Sequence, residues 1–275
     1  MKEVVGVVLC GGLGSRLRPL TYYFQKVMLP IGSAQRPILE YILHSLRMAE
    51  IRNALLLANY KFEQIRNYFG DGSTVDMELT YIMDDPSYRG SGGALLNAWK
   101  KGKINDDATI LIYYGDILTK LDLRKMLQQH WNDSSVATLA VAKGFRVPVG
   151  VAKMDGKKIS SFEEKPEIDI NVGVGIMALE SKALAMLEEI YNIKHGDSID
   201  IMGDLLTTLI KKGENVEGFV FDDFWLDVGS IEAYEKVDPK KFDDMFSGLI
   251  EERVRATSSN NNSSRTFRRK RQRAD

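Results

Sequence analysis

The densest chemistry in this chain of 275 residues lies in the run Cys10-Gly11-Gly12-Leu13-Gly14-Ser15-Arg16-Leu17-Arg18-Pro19-Leu20-Thr21. Glycines let the backbone turn sharply and bring its amides within reach of phosphate oxygens, and Arg16 adds a fixed fork of donors. The run is not the dinucleotide fingerprint, because Leu17 stands where the third glycine of G-x-G-x-x-G belongs, and it lacks the Gly-Lys-Ser/Thr of a P-loop. Lys26 follows in a loop already rich in donors and could hold a phosphate. Asp116 follows an apolar run at its carboxyl end, where an α/β sheet presents ligands, and a carboxylate there is a natural magnesium partner. The rival reading, a helix cap, suits Asp122 better. Glu164-Lys165-Pro166 ends a polar-alternating strand, and proline stops further ladder pairing there. Asp227 stands in a strand-to-turn stretch, Trp225-Leu226-Asp227-Val228-Gly229. His44, His130 and His195 have no matching serine or cysteine motif, so no nucleophilic triad is expected. The single Cys10 reads as a packing residue.

Elements must hold these residues in place. Val4 to Cys10 (VVGVVLC) is nearly unbroken apolar sequence, which suits a central parallel strand buried on both faces. Pro37 opens a helix with Ile38, Leu39, Ile42, Leu43 and Leu46 at helical spacing. Asn53 to Ala58 and Val75 to Met83 read as strands, with a helix over Lys61 to Phe69 between them. A glycine-rich turn, Gly90-Ser91-Gly92-Gly93, leads into a helix from Ala94 to Lys101. Thr109 to Tyr114 is a strand and Asp122 to Trp131 a helix. This alternation predicts an α/β fold: an open, mostly parallel, Rossmann-like doubly wound sheet with ligands beyond the carboxyl ends of its strands. From Val136 the rhythm changes to strands (Val136 to Ala142, Val149 to Met154, Lys157 to Glu163, Val174 to Leu179), which predict a mixed or antiparallel part extending that sheet. Helices over Ser181 to Tyr191 and Met202 to Lys212, a strand over Val216 to Phe221 and a short helix over Ile231 to Val237 complete the body.

The stretch Gly11-Gly12-x-Gly14-Ser15-Arg16-Leu17-x-Pro19-x-Thr21 resembles the signature loop of the sugar-1-phosphate nucleotidylyltransferases. Four further stretches follow in that family's order: Gln25 to Pro30, Tyr114 to Asp116, Glu163 to Pro166 and Trp225 to Gly229. The resemblance implies a glycosyltransferase-A-like nucleotidyltransferase fold and the reaction of a nucleoside triphosphate (NTP) with a hexose 1-phosphate to give NDP-hexose and pyrophosphate. It implies Arg16, Lys26 and Lys165 as catalytic residues. Leu9, Gly11, Gly12, Gly14, Ser15, Asp85 and Gly90 would contact the nucleotide, and Gly150, Glu164, Asn171, Gly175 and Trp225 the sugar. Asp116 and Asp227 would hold Mg²⁺, a pairing that sequence spacing alone does not supply. The chain departs from the family in flanking Lys26 with Gln25 and Val27 where many members have prolines, which predicts a less rigid loop. Gly173-Val174-Gly175 also stands where relatives often read Asn-Ala-Gly. Asp85, five residues before Gly90, can only accept hydrogen bonds when ionised, which favours guanine, with its paired donors, over uracil or thymine. A non-catalytic nucleotide-sensing subunit of the same fold is the alternative, and a dinucleotide oxidoreductase a more distant one.

Composition narrows the classes further. With 44% hydrophobic and 27% charged residues, the chain is not collagenous, wholly disordered or disulfide-stapled. No apolar run is long enough for a membrane span, and none reads as a signal peptide, so a cytoplasmic protein is expected. The net charge of −1 hides an uneven distribution: seven arginines and lysines against one acid after Val254 leave about −7 on the body. Such a body will not bind nucleic acid through its general field. The expected organisation is a nucleotidyltransferase domain over 1–237 (nucleotide-binding 1–135, sugar-binding 136–237), a helical extension over 238–253 and a disordered basic tail over 254–275. No acyltransferase-type β-helix repeat follows residue 237, and the resemblance is compatible with a homo-oligomer.

Overall fold

A computed structural model describes residues 2–147 and 149–248. The basic tail and the last residues of the expected helical extension lie outside the described residues. The first half runs β1 (Val4–Cys10), a small hairpin of β2 (Pro30–Ile31) and β3 (Arg36–Pro37), α1 (Ile38–Met48), β4 (Asn53–Ala58), α2 (Phe62–Phe69), β5 (Glu78–Met83), α3 (Gly90–Lys100), β6 (Thr109–Tyr114), β7 (Ile117–Thr119) and α4 (Leu123–Asn132). The second half runs β8 (Ala137–Arg146), β9 (Val151–Asp155), β10 (Lys158–Glu163), β11 (Glu167–Glu180), α5 (Leu184–Ile193), α6 (Thr207–Lys211), β12 (Val216–Phe221), β13 (Trp225–Asp227) and α7 (Ile231–Glu235). A π-helical turn, Ile201–Leu206, leads into α6.

Seven strands form one sheet in the order β12-β8-β11-β6-β1-β4-β5. Every neighbouring pair is parallel except the two made by β11, which is antiparallel to β6 and β8. The sheet is thus open, mixed and mostly parallel, as the alternation of elements predicts, and strands of both halves share it. Side chains of β1 alternate between two cores: Val8 and Cys10 pack with α1 and α4, while Val5 and Val7 pack with α3 and α5. Helices cover both faces, which explains why β1 is apolar without a polar side. Gly6 permits the closeness of α1, since a Cβ there would lie 3.1 Å from Leu46 Cδ1.

Several boundaries differ from the sequence reading. Gly90 to Gly93 is the first turn of α3, not a turn before it. Residues Val75 to Met77 lie outside β5, with Val75 closing a 3₁₀ turn. The strand expected over Val174 to Leu179 is the 14-residue β11, whose polar outer half pairs with β8. Helix caps follow expectation at Asp122, which accepts the Lys125 amide at 3.1 Å. A helix over 239–248 folds back onto α1, where Phe242 sits edge-on to Tyr41 at 5.0 Å between ring centroids.

Candidate active site

The glycine loop leaves β1 at Cys10 and is shaped by contacts that only small residues permit. Gly14 has φ +61°, and a Cβ there would meet Thr21 Cγ2 at 2.7 Å. The Thr21 hydroxyl donates to the Gly14 carbonyl at 2.9 Å and closes the loop. Leu17 is buried and anchors the short 3₁₀ turn Ser15–Leu17, leaving Ser15 and Arg16 on the surface. The guanidinium of Arg16 comes close to Gly229, where a Cβ would lie 3.1 Å from its Nη2.

Lys26 opens a later 3₁₀ turn, Lys26–Met28, where the expected loss of rigidity meets a compensating set of hydrogen bonds. Gln25 is fully buried and does the work of the missing proline. Its Nε2 donates to the Cys10 carbonyl, its Oε1 accepts the Val27 amide at 2.6 Å, and its own amide donates to Gln64 Oε1 at 2.7 Å. The turn is therefore bolted to the end of β1. Lys26 Nζ reaches across to form an ion pair with Asp116 Oδ2.

The two aspartates meet through a short ladder. β7 and β13 pair antiparallel, with Asp227 opposite Ile117, and the Val228 amide donates to the Asp116 carbonyl at 2.8 Å. Loss of solvent around the Asp227 carboxyl raises its pKa, and the neighbouring Asp116 charge raises it further, while Lys26 and Arg16 pull it back. Among the described residues no group of three or more His, Cys, Asp and Glu side chains gathers for a metal. Two juxtaposed carboxylates nevertheless fit a hard cation such as Mg²⁺, which binds through one or two carboxylates and completes its shell with substrate phosphates and water.

Lys26 and Asp116 open onto a cleft of about 470 Å³ at the carboxyl ends of β1, β4 and β6, lined also by Gly11, Gly12 and Gly90, while Gly14 and Asp227 stand outside its lining. Hollows of about 510 Å³ beside His130 and about 730 Å³ beside Met245 touch none of the expected site residues, so chemistry and not volume selects the site. Leu9 lines the cleft as expected, whereas Ser15 and Arg16 stand outside its lining. Gly90 has φ +84°, and a Cβ there would strike the Ile199 carbonyl at 2.3 Å. The segment around Ile199 straps the start of α3: the Gly92 amide donates to the Ile199 carbonyl at 2.9 Å and Ser91 Oγ to Asp200 Oδ2 at 2.9 Å.

Asp85 stands one residue from the acid that lines the cleft. Its carboxylate accepts the Ser87 amide at 2.9 Å, which with the Ser87 hydroxyl holds its pKa low, and it lies outside the cleft lining. Asp84 lines the cleft instead, with its Oδ2 2.8 Å from where a Gly11 Cβ would be. Burial raises the Asp84 pKa, and a hydrogen bond with Asn59 opposes that rise. The alternation of β5, with Leu79 and Ile82 buried and Met83 exposed, does not determine which of the two acids turns inward. Tyr114 also went unnoticed as a site residue: it lines the cleft, and its hydroxyl, hydrogen-bonded with Ser91, is pushed up to about 12, chiefly by burial. Its place before Gly115-Asp116 was the available signal. The Cys10 thiol is raised by burial and then by Asp116 and Asp84, which suits its reading as a packing residue.

The expected sugar residues are gathered less tightly. Gly175 has φ +76° and abuts the Tyr114 ring, with a Cβ position 2.7 Å from Tyr114 Cδ2. Gly150 and Glu164 are neighbours, since a Cβ on Gly150 would lie 2.9 Å from Glu164 Oε2 and 2.2 Å from Phe162 Cζ. Lys165 is exposed, has φ +51°, and exerts its charge on Glu232 at the start of α7. Asn171 lies exposed on β11 opposite Lys143, and Trp225 is half-buried on β13 opposite Thr119. None of Gly150, Glu164, Lys165, Asn171 or Trp225 lines the cleft.

An open mixed sheet with a glycine loop, a lysine and two facing aspartates at its strand ends is the arrangement of a nucleotidyl-handling fold. The model of the nucleotidyl transferase family matches residues 5–243, and the chain belongs to that family. It is 29% identical over 243 residues to a UTP–glucose-1-phosphate uridylyltransferase of Synechocystis, covering 83% of this chain and 61% of the relative. It is 29% identical over 271 residues to a glucose-1-phosphate adenylyltransferase of Clostridium perfringens (90% and 67%). A mannose-1-phosphate guanylyltransferase of Mycobacterium tuberculosis is 29% identical over 238 residues (84% and 63%). The chain thus spans roughly two thirds of the length of these relatives. A crystallised Bacillus anthracis chain described as a glucose-1-phosphate thymidylyltransferase superposes with a TM-score of 0.69 at 22% identity, covering 85% of this chain and 93% of that one, which shows the shared fold. Among the described residues no helix is long and apolar enough to cross a membrane.

Proposed function

We propose that this chain transfers a nucleotidyl group from an NTP to a hexose 1-phosphate and releases pyrophosphate. The observation that carries the reading is the charge cluster of Arg16, Lys26, Asp116 and Asp227 at the mouth of a cleft at the strand ends. The sugar phosphate is already an oxygen nucleophile, so no general base and no covalent intermediate are needed. The protein has to align that oxygen with the α-phosphorus and balance the charge that develops there. The Gly11 to Gly14 amides and Arg16 would hold the triphosphate, Lys26 the pyrophosphate side and Lys165 the phosphate that becomes shared. Asp116 and Asp227 would hold Mg²⁺, which when bound supplies Lewis-acid neutralisation of the phosphate oxygens. On the sugar side Glu164 would accept from hexose hydroxyls, and the bare backbone at Gly150 and Gly175 would let the ring approach.

Asp84 is the residue we assign to reading the base, because its carboxyl and Gly11 share one wall of the cleft. An ionised carboxylate accepts two donors at once from the ring N–H and exocyclic amine of guanine. Against uracil it gains one hydrogen bond and meets two carbonyl oxygens. GTP is therefore the expected nucleotide, and mannose 1-phosphate follows only by its association with guanine. The test is a matrix of GTP, ATP, UTP and dTTP against hexose 1-phosphates, read by pyrophosphate release. We expect GTP to lead, and Asp84→Gln to move the preference toward UTP or dTTP by about tenfold or more. A wild type that prefers UTP, with an order that Asp84→Gln leaves unchanged, removes Asp84 as the reader.

A further inference from the structure

Two side chains assigned to different ligands pair with each other. Lys26 is proposed to hold phosphate and Asp116 to hold metal, yet here they hold each other. Both side chains are shielded, with 12% of the lysine side chain and 26% of the aspartate exposed. The backbone beneath Lys26 cannot follow a departing charge, because Gln25 fixes the turn to Cys10 and Val27 packs on Gly115, where a Cβ would lie 2.6 Å from Val27 Cγ1. Only the four-carbon lysine stem can swing.

The local charges then decide which arrivals are favourable. Lys26 and Arg16 offset Asp116 and Asp227, the same four groups that bear on the Asp227 carboxyl. A divalent cation arriving alone must displace Lys26 from Asp116 and leaves two unpaired positive side chains beside itself. A triphosphate arriving alone attracts Lys26 but faces both carboxylates. With metal and nucleotide both present, Asp116 would hold the metal, the freed Lys26 ammonium would meet a phosphate oxygen, and every charge would keep a partner.

We infer that Lys26 guards Asp116 against metal alone and is handed to the nucleotide phosphate when metal and nucleotide are both bound. The inference rests on the proposed metal role of Asp116 and Asp227 and gives Lys26 a second, positioning role. Coupling of this kind is reciprocal: the factor by which bound nucleotide tightens metal binding is the factor by which bound metal tightens nucleotide binding.

The test uses the full chain and Mn²⁺ as the probe, with free Mn²⁺ counted by electron paramagnetic resonance in the absence of nucleotide. Lys26→Gln should bind Mn²⁺ about tenfold more tightly than wild type. Lys26→Arg, which keeps the charge, should bind it as weakly as wild type, and thermal unfolding of each variant verifies that the site is folded. Unchanged or weaker Mn²⁺ binding by folded Lys26→Gln overturns the exchange while leaving the metal reading intact. If adding Asp116→Asn or Asp227→Asn to Lys26→Gln leaves its Mn²⁺ binding unchanged, the metal reading itself fails and the exchange falls with it.

Discussion

The proposed nucleotide side and the proposed sugar side of this molecule are built to different standards. At the strand ends of β1 and β6 almost every group is fixed before any ligand arrives. Gln25 is held at three points, Lys26 is paired with Asp116, and Gly90 is seated under Ile199. On the proposed sugar side, the hairpin of β9 and β10 pairs only with itself. It leaves Met154, Ile159 and Phe162 each more than half exposed. Lys165 follows that hairpin on exposed backbone with φ +51°. A two-stranded ribbon has little stability of its own. The contrast suggests a division of labour in which the triphosphate meets a preformed cradle while the sugar side is completed by contacts made on binding.

The largest test of that contrast removes the carboxylates. Asp116→Ala or Asp227→Ala should lower turnover about a thousandfold or more, as expected for loss of metal stabilisation worth several kcal/mol, while thermal unfolding moves little. Near-normal rates at limiting magnesium would remove both from the metal site. Next come the two lysines, one on each side. Lys26→Ala and Lys165→Ala should each cut kcat about a hundredfold, with a smaller change in KM, because charge on the transferred group shifts mainly in the transition state. A pure KM defect for either one would place its contact in the ground state. Stability should divide along the same line. Leu111→Ala, in the fully buried middle of β6, should cost about 2–5 kcal/mol in urea unfolding. Met154→Ala on the hairpin should stay within about 0.5 kcal/mol, and equal costs would erase the distinction between the regions.

The smallest expected effect is a pH dependence at Asp84. Burial holds its carboxyl above the ordinary value of 3.8, so the folded chain binds that proton more tightly than the unfolded chain does. The contribution of this group to stability is therefore lost as pH rises from the unfolded value through the raised folded one. Asp84→Asn removes the loss, so the stability of the variant relative to wild type should be greater at pH 7 than at pH 4. A difference independent of pH would mean that the carboxyl is not desolvated in solution.

Much of this was legible in the sequence, and the misses have physical causes. β1, β4 and β6 begin and end where their apolar runs predict, because a strand buried on both faces carries an unbroken signal. The first turn of α3 was read as a loop because four residues of Gly and Ser have weak helix propensity. They are helical because the space is taken: a Cβ on Gly93 would lie 2.5 Å from the Tyr88 carbonyl carbon, and one on Gly92 2.8 Å from Ile199 Cγ2. Asp84 and Asp85 are indistinguishable as residue types, and only the turn that bonds Asp85 to Ser87 separates them. The pairing of Asp116 with Asp227 was hidden for another reason. It is made by the three-residue strands β7 and β13, far apart in sequence and too short to leave a periodic pattern. Gln25 read as a missing proline, since a buried amide that replaces ring rigidity with three hydrogen bonds has no local signature.

The central claim is group transfer at the cleft, and ³¹P NMR of the purified full chain with Mg²⁺, GTP and mannose 1-phosphate tests it most directly, with the other nucleotide and hexose phosphate pairs alongside. The account predicts paired diphosphate resonances of an NDP-hexose growing in step with pyrophosphate, only when both substrates are present, and their loss in Asp116→Ala. Pyrophosphate or orthophosphate appearing without an NDP-hexose, or no reaction with any pair, would contradict it.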